Sequence, residues 1–296
     1  MPAPLGFALS SLTGLPPREL ARLARLAEER GFGSLALTES YNDAMPLAAA
    51  VAAATRSAQI ATAIANVGFR HPALMAMGAA AVDDLSGGRF VLGLGVGTQW
   101  FDRKALGGAG RRPLAALAEY VAIVRRLWES GTADCRGGGD FYRLDDFHLD
   151  FVPLRRRIPI YLAAMGPGML RLAGRVADGV FLGLAPIETI PKMVAQVRDA
   201  ALEAGRDPRD VMIAMLVRVG LDDDPERARA AIRASIPLYA TFPGYARHLR
   251  GLGYGTMVDA VQAAWARGDR VAATAQIPDE LVDRVGVHGS AERCRA

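Results

Sequence analysis

Four short runs in this chain carry the residue types that small-molecule chemistry needs. Thr38-Glu39-Ser40-Tyr41-Asn42 sets a carboxylate two positions before an aromatic ring, so Glu39 can serve as a base, an acid or a hydrogen-bond anchor for a polar ring edge. Ala63-Ile64-Ala65-Asn66 ends in a side-chain amide, donor and acceptor at once and suited to a heterocyclic edge, although Asn is also a common turn former. Gly93, Gly95 and Gly97 occupy alternate positions, which gives up side-chain packing either for a flat ligand lying on the backbone or for a bend that closes a sheet. Met165-Gly166-Pro167-Gly168-Met169 precedes the helical stripe Leu170, Ala173, Gly174 and Ala177. It therefore places free backbone N–H groups at a helix start, where a phosphate can bind; a plain turn is the alternative.

Competing chemistries lack their residues. The chain has two lysines, Lys104 in a loop and Lys192 inside a helical pattern, so no strand end offers a Schiff-base amine. The four histidines, His71, His148, His248 and His288, stand apart, as do Cys135 and Cys294, and no metal-ligand spacing results. A Gly-x-Ser-x-Gly nucleophile elbow is absent. The net charge is a modest +4, and the arginines alternate with acids along amphipathic helices instead of massing on one face, which excludes a nucleic-acid partner. With no basic leader ahead of an apolar run and no apolar stretch of about 20 residues, a cytoplasmic protein with no membrane span is expected. A small-molecule substrate remains.

These runs need elements to position them. Short β-rich segments alternate with helical patterns along 296 residues, of which 51% are apolar and 22% charged. Strands are expected at Gly6 to Ser10, Ser34 to Thr38, Gln59 to Ile64, Phe90 to Leu94, Ile158 to Ala163, Gly179 to Leu184 and Val211 to Val219. Helices are expected between them, for example after Pro16-Pro17, from His71-Pro72 to Ser86, and from Pro113 to Glu129. A hairpin is expected over Phe141 to Pro153, with His148 on its solvated face, and helices from Pro225 to about Arg267, near Asp279 to Val285, and after Ser290. No phosphate loop follows the first strand, so a TIM (β/α)8-type barrel fits better than a doubly wound sheet. No eighth strand is evident after Val285.

The segments Ala27-Glu28-Glu29-Arg30-Gly31-Phe32, Thr38 to Asn42, Ala65-Asn66, Arg70-His71-Pro72-Ala73-Leu74, Leu85-Ser86-Gly87-Gly88-Arg89-Phe90 and Gly93-Leu94-Gly95-Val96-Gly97 resemble the bacterial-luciferase-like flavin-dependent oxidoreductases. Within these they resemble the branch that uses the deazaflavin coenzyme F420, typified by methylenetetrahydromethanopterin reductase. Pro159 to Ala164, Gly166-Pro167-Gly168-Met169-Leu170 and Ala177-Asp178-Gly179-Val180 extend the likeness, which runs from about Gly6 to Val219. The resemblance implies one luciferase-like barrel over 1–296, with a hairpin insertion at about 135–157, a helical insertion at about 222–285, and an eighth strand and helix missing. It also implies a homodimer.

By that resemblance the ring lies over the strand ends, its phosphate at the loop after the fifth strand, and a non-proline cis peptide at Ala63-Ile64 bulges against the ring. Glu39, Asn66, Gly95, Val96, Gly97, Thr98, Met165, Gly166, Pro167, Gly168 and Met169 match cofactor-contacting positions, with Glu39 as the catalytic acid near the ring. The resemblance departs at Ser40, where many relatives hold a proton-donating histidine, and at Thr98, where sugar-phosphate dehydrogenases of the branch hold an acid. Tyr41, Met45, Trp100 and Phe101 are expected to line the substrate pocket, and Gly95→Val to abolish cofactor binding with the fold intact. The expected activity is F420-dependent hydride transfer involving a small organic substrate. Two rivals stand beside it: an FMN-dependent luciferase-like monooxygenase, and a flavin-binding homologue without turnover.

Overall fold

The computed structural model describes residues 5–10, 13–40, 42–97, 112–133 and 139–295. In chain order its strands are β1 (Gly6–Leu9), β2 (Ser34–Leu37), β3 (Gln59–Thr62), β4 (Ala65–Asn66), β5 (Phe90–Gly95), β6 (Thr132–Ala133), β7 (Phe147–His148), β8 (Ile160–Ala163), β9 (Gly179–Gly183), β10 (Met212–Leu216), β11 (Arg218–Leu221) and β12 (Gly286–Gly289). The helices are α1 (Pro17–Glu29), α2 (Ala44–Ala54), α3 (Pro72–Leu85), α4 (Pro113–Ser130), α5 (Pro167–Val176), α6 (Ile190–Glu203), α7 (Pro225–Ser235), α8 (Pro237–Ala240), α9 (Pro243–Gly251), α10 (Gly255–Ala266), α11 (Arg270–Ala275), α12 (Asp279–Val285) and α13 (Ala291–Arg295). Seven strands run in the order β1-β2-β3-β5-β8-β9-β10, every neighbouring pair parallel, and helices α1 to α6 supply the crossovers. The architecture is a nearly closed parallel α/β barrel.

Alternation along the strands explains why the chain closes this way. Leu35, Leu37, Ile60, Leu92, Leu94, Ile160, Leu162, Val180 and Leu182 face outward into the main core with the helices. The intervening Ala61, Ala63, Val91 and Phe181, with Ala36, Tyr161, Ala214 and Leu216 beside them, fill the barrel interior. Helix α1 buries Leu20, Ala24 and Ala27, one stripe at spacings of 4 and 3. Each such large side chain withdrawn from water contributes about 1.5–3 kcal/mol before the entropy of ordering is counted.

Three expectations need correction. The seventh predicted strand breaks at Val217: β10 pairs with β9, while β11 leaves the barrel and pairs in parallel with β12. A strand therefore does follow Val285. It was hidden because Gly-Val-His-Gly has neither apolar alternation nor length, and it joins β11 instead of closing the barrel, so among the described residues β1 and β10 remain the two edges. The predicted hairpin shrinks to a two-residue antiparallel contact of β6 with β7, with His148 exposed as expected. Phe151, placed on its alternating strand by pattern, is 43% exposed in a loop.

Beyond β11 the helices α7 to α12 build a second core around Ile232, Ile236, Leu249, Val258 and Leu281. Leu184, at the C-terminal end of β9 with a left-handed φ of 51°, inserts into that core. Arg284 of α12 pairs with Glu188 in the loop after β9. The helical layer is thus keyed to the C-terminal end of the barrel.

Candidate active site

In a parallel barrel the chemistry sits where strands give way to loops at their C-terminal ends. The ends of β2, β4, β5 and β8 are near neighbours because β2, β3, β5 and β8 are consecutive in the sheet. That order gathers Glu39, Ala63, Ile64, Asn66, Gly95, Val96, Gly97 and the segment Met165 to Met169 at one mouth, although they span about 130 positions of sequence.

Between β3 and β4 the backbone turns aside, and the peptide joining Ala63 and Ile64 is cis, where the resemblance implies one. Thr62 replaces the interrupted ladder: its Oγ1 donates to the Gly93 carbonyl at 2.8 Å and accepts from the Gly93 N–H at 2.9 Å. The alternate glycines have local causes. A Cβ at Gly93 would stand 1.8 Å from the Thr62 carbonyl, one at Gly95 2.8 Å from the Ile64 side chain, and one at Gly97 2.1 Å from Asn66 Nδ2. Gly97 also has a φ of +63°. All three spaces are taken by the protein itself, so Gly95→Val would displace Ile64 as well as any ligand.

The Glu39 side chain is wholly buried. Its Oε1 accepts from the Ala44 N–H at 2.9 Å and from Arg70 Nη2 at 2.6 Å, and its Oε2 accepts from the Asn66 N–H at 2.7 Å and from Arg70 Nη1 at 3.1 Å. Four donors match the four acceptor positions of a carboxylate. Glu39 therefore ties the loop after β2 to β4, to the start of α2 and to α3's approach. Burial alone would lower the Arg70 guanidinium, yet the bonds and charge of Glu39, then of Asp43, hold it above its ordinary value. Tyr120 completes the support by donating its hydroxyl to the Arg70 carbonyl at 3.1 Å. Arg70 stood out in the sequence only within the Arg70-His71-Pro72 run, and Asp43 not at all, since nothing in an Arg-rich chain marks an arginine 31 positions away as the partner of Glu39.

Asn66 is 4% exposed, its Oδ1 accepting from the Gly68 N–H at 2.9 Å while its Nδ2 lies against Gly97. Gly166, Pro167 and Gly168 are exposed at the start of α5, with Gly166 in extended backbone as its N-cap and no atom within 4 Å of where its Cβ would be. The Met169 N–H already donates to the Gly166 carbonyl at 3.1 Å. Met45, at the start of α2, is 7% exposed in the main core, with its methyl toward Gly78 of α3. Tyr41, Thr98, Trp100 and Phe101 lie outside the described residues. Among the described residues there is no cluster of metal-ligating side chains, and no helix is long and apolar enough to cross a membrane.

Comparison with known proteins agrees with this fold. The family model for luciferase-like monooxygenases matches residues 3–296. The 5,10-methylenetetrahydromethanopterin reductase of Methanolobus tindarius is 30% identical over 297 residues, covering 98% of this chain and 88% of the relative. The F420-dependent glucose-6-phosphate dehydrogenase of Nakamurella multipartita is 32% identical over 244 residues, covering 77% and 71%. Among solved structures, the coenzyme F420-dependent tetrahydromethanopterin reductase of Methanopyrus kandleri superposes with a TM-score of 0.84 at 22% identity, over 98% of this chain and 87% of that one.

Proposed function

This chain belongs to the luciferase-like monooxygenase family, and we propose that it is an oxidoreductase that uses coenzyme F420 to exchange a hydride with a small organic substrate. The observation that carries this reading is the set of strand ends gathered at one mouth, on a chain 30% identical over nearly its whole length to a 5,10-methylenetetrahydromethanopterin reductase and sharing the fold of a coenzyme F420-dependent one. The residues fit the group. The exposed first turn of α5, open beyond Gly166, receives a phosphate on its backbone N–H groups, and Asn66 offers a buried amide beside the Ala63-Ile64 bulge. When bound, F420 supplies the hydride chemistry.

The protein's own work is placement. The small side chains of Ala36, Ala61 and Ala63 leave the strand ends flat enough for a ring to approach the backbone. Glu39 acts here as a positioning residue: with its oxygens engaged by four protein donors, it holds Asn66 and the loop after β2 in register, and proton exchange falls to another group. Ser40, standing where many relatives hold a histidine, turns the proton donor over to the substrate or to water. The enzyme is cytoplasmic and dimeric in this reading. A second copy is supported by the stripe of Leu74, Met77, Ala81 and Leu85, spaced three and four apart along α3 and all left exposed among the described residues.

Titrations of the purified protein with oxidised F420 and with FMN test the cofactor. Tight F420 and weak FMN binding is expected. The reverse order moves the protein to flavin-peroxide chemistry, and binding of neither removes the proposed mouth.

A further inference from the structure

Where the chain passes from the barrel to the helical layer stands an arginine that the reading so far does not use. Ala214 and Leu216 of β10 line the barrel interior, and Arg218 follows two residues on, at the start of β11, between the exposed Val217 and Val219. Arg218 is half-buried, two residues beyond the end of the interior lining at the C-terminal end of β10.

Its side chain is held in place. The guanidinium lies over the Tyr239 ring, 4.8 Å from its centroid, and Nε donates to Ser235 Oγ at 3.0 Å. Tyr239 belongs to an aromatic group with Tyr245, at 4.9 Å between centroids, and Phe242, at 6.1 Å. Stacking fixes the plane of the fork and the bond to Ser235 fixes its rotation, so Nη1 and Nη2 are presented edge-on before any ligand arrives.

What is missing is an acid. Neighbouring arginines of the helical layer have carboxylate partners: Arg227 with Asp222, Arg229 with Glu226 and Asp283, Arg233 with Asp279, and Arg284 with Glu188 and Glu280. Among the described residues no carboxylate pairs with Arg218, and Ser235 and the Tyr239 ring are its recorded partners. A half-buried, oriented guanidinium with two free N–H edges is a receptor for a planar oxyanion.

We infer that Arg218 is a specificity-determining residue that receives a carboxylate of the substrate, so that this enzyme acts on a small organic acid whose apolar part rests on the Tyr239, Phe242 and Tyr245 rings. The inference rests on the oxidoreductase reading for its reaction, but the binding itself does not require the cofactor. One free positive charge matches a singly charged carboxylate; a doubly charged phosphate ester would call for a second cation beside it. The proposed cofactor phosphate belongs to α5, at the end of β8 in the barrel sheet, whereas Arg218 opens β11 of the separate β11-β12 pair.

The test is a set of titrations on the full chain, with and without F420, using benzoate, benzamide and phenyl phosphate as probes. Benzoate is expected to bind at least tenfold more tightly than its neutral isostere benzamide, and more tightly than phenyl phosphate. Arg218→Gln is expected to erase the benzoate preference while leaving the F420 affinity and the melting temperature in place. Arg218→Lys, which keeps the charge but loses the fork and the stack, is expected to retain only part of it. Equal binding of benzoate and benzamide by the unaltered protein, no binding of benzoate at all, or a preference that survives Arg218→Gln would each overturn the assignment, as would tighter binding of phenyl phosphate. Loss of F420 binding with the benzoate preference intact would strike the cofactor reading and leave this one standing.

Discussion

Arg70 grips Glu39 with both ends of its guanidinium, at 2.6 and 3.1 Å, where the Glu39 side chain is fully buried and that of Arg70 is 9% exposed. Removing one member of a buried pair leaves the other charge uncompensated. Arg70→Met is therefore expected to cost about 3–5 kcal/mol in urea unfolding. A loss below about 1 kcal/mol would mean that the Ala44 and Asn66 amides suffice to hold the carboxylate.

Acid sensitivity should trace in part to Glu28, at the end of α1. Its carboxylate accepts from the N–H groups of Arg56, Ser57 and Ala58, fastening the turn between α2 and β3. Partial burial would raise its pKa, but these backbone bonds together outweigh that and bring it from 4.5 to about 2. A depressed folded-state pKa means stability that is fully present above the unfolded value of 4.5 and lost as pH falls toward 2. Glu28→Gln is expected to lower stability at pH 7 by about 1–2 kcal/mol after solvent screening, with the gap to wild type closing as the pH falls from 4.5 toward 2. Unfolding curves at pH 7 and at intervals below pH 5 read this out, and a gap that is constant with pH would refute it.

Gly95 and Gly166 separate folding from binding. Gly95→Val drives a branched side chain into Ile64 and is expected to cost about 1–3 kcal/mol by overpacking, along with cofactor affinity. Gly166→Ala meets no atom and suits the extended backbone there, so its stability should stay within about 0.5 kcal/mol of wild type. Its methyl nonetheless projects into the space proposed for the phosphate, and F420 affinity is expected to fall roughly tenfold, equivalent to about 1.4 kcal/mol. Thermal unfolding and fluorescence titration of both variants check the contrast.

The α3 stripe predicts its own disruption. The double variant Leu74→Glu and Met77→Glu places two charges on an exposed apolar face, 55% and 42% accessible in the single chain. Sedimentation velocity should then show a monomer where the unaltered protein shows a dimer. A monomer in both cases would remove the interface from α3.

Most of the barrel was legible because buried parallel strands announce themselves: Ser34–Leu37, Phe90–Gly95 and Ile160–Ala163 lie within a residue or two of where their composition places them. The strand Gly286–Gly289 was not, since its pairing with β11 depends on a partner 68 positions away in register and not on its own residues. The site divides in the same way. Gly166 to Met169 and Asn66 were visible as local patterns, whereas the Arg70 clamp on Glu39 and the stacking of Arg218 on Tyr239 arise only when distant segments meet. The packing of Met45 against Gly78 of α3 is likewise a contact between helices that neither segment shows by itself.

The unpaired edges at β1 and β10 give the barrel a direction in which it comes apart. β2, β3, β5, β8 and β9 are flanked by a strand on each side, while among the described residues the terminal strands are flanked on one. Transient opening therefore starts at the two margins and moves inward. Amide hydrogens should exchange fastest at Gly6–Leu9 and Met212–Leu216 and slowest along Phe90–Gly95, midway between those margins. The mouth inherits that gradient: Asn66 and the glycines ride on its slowest part, and Arg218, two residues beyond β10, follows directly on its fastest.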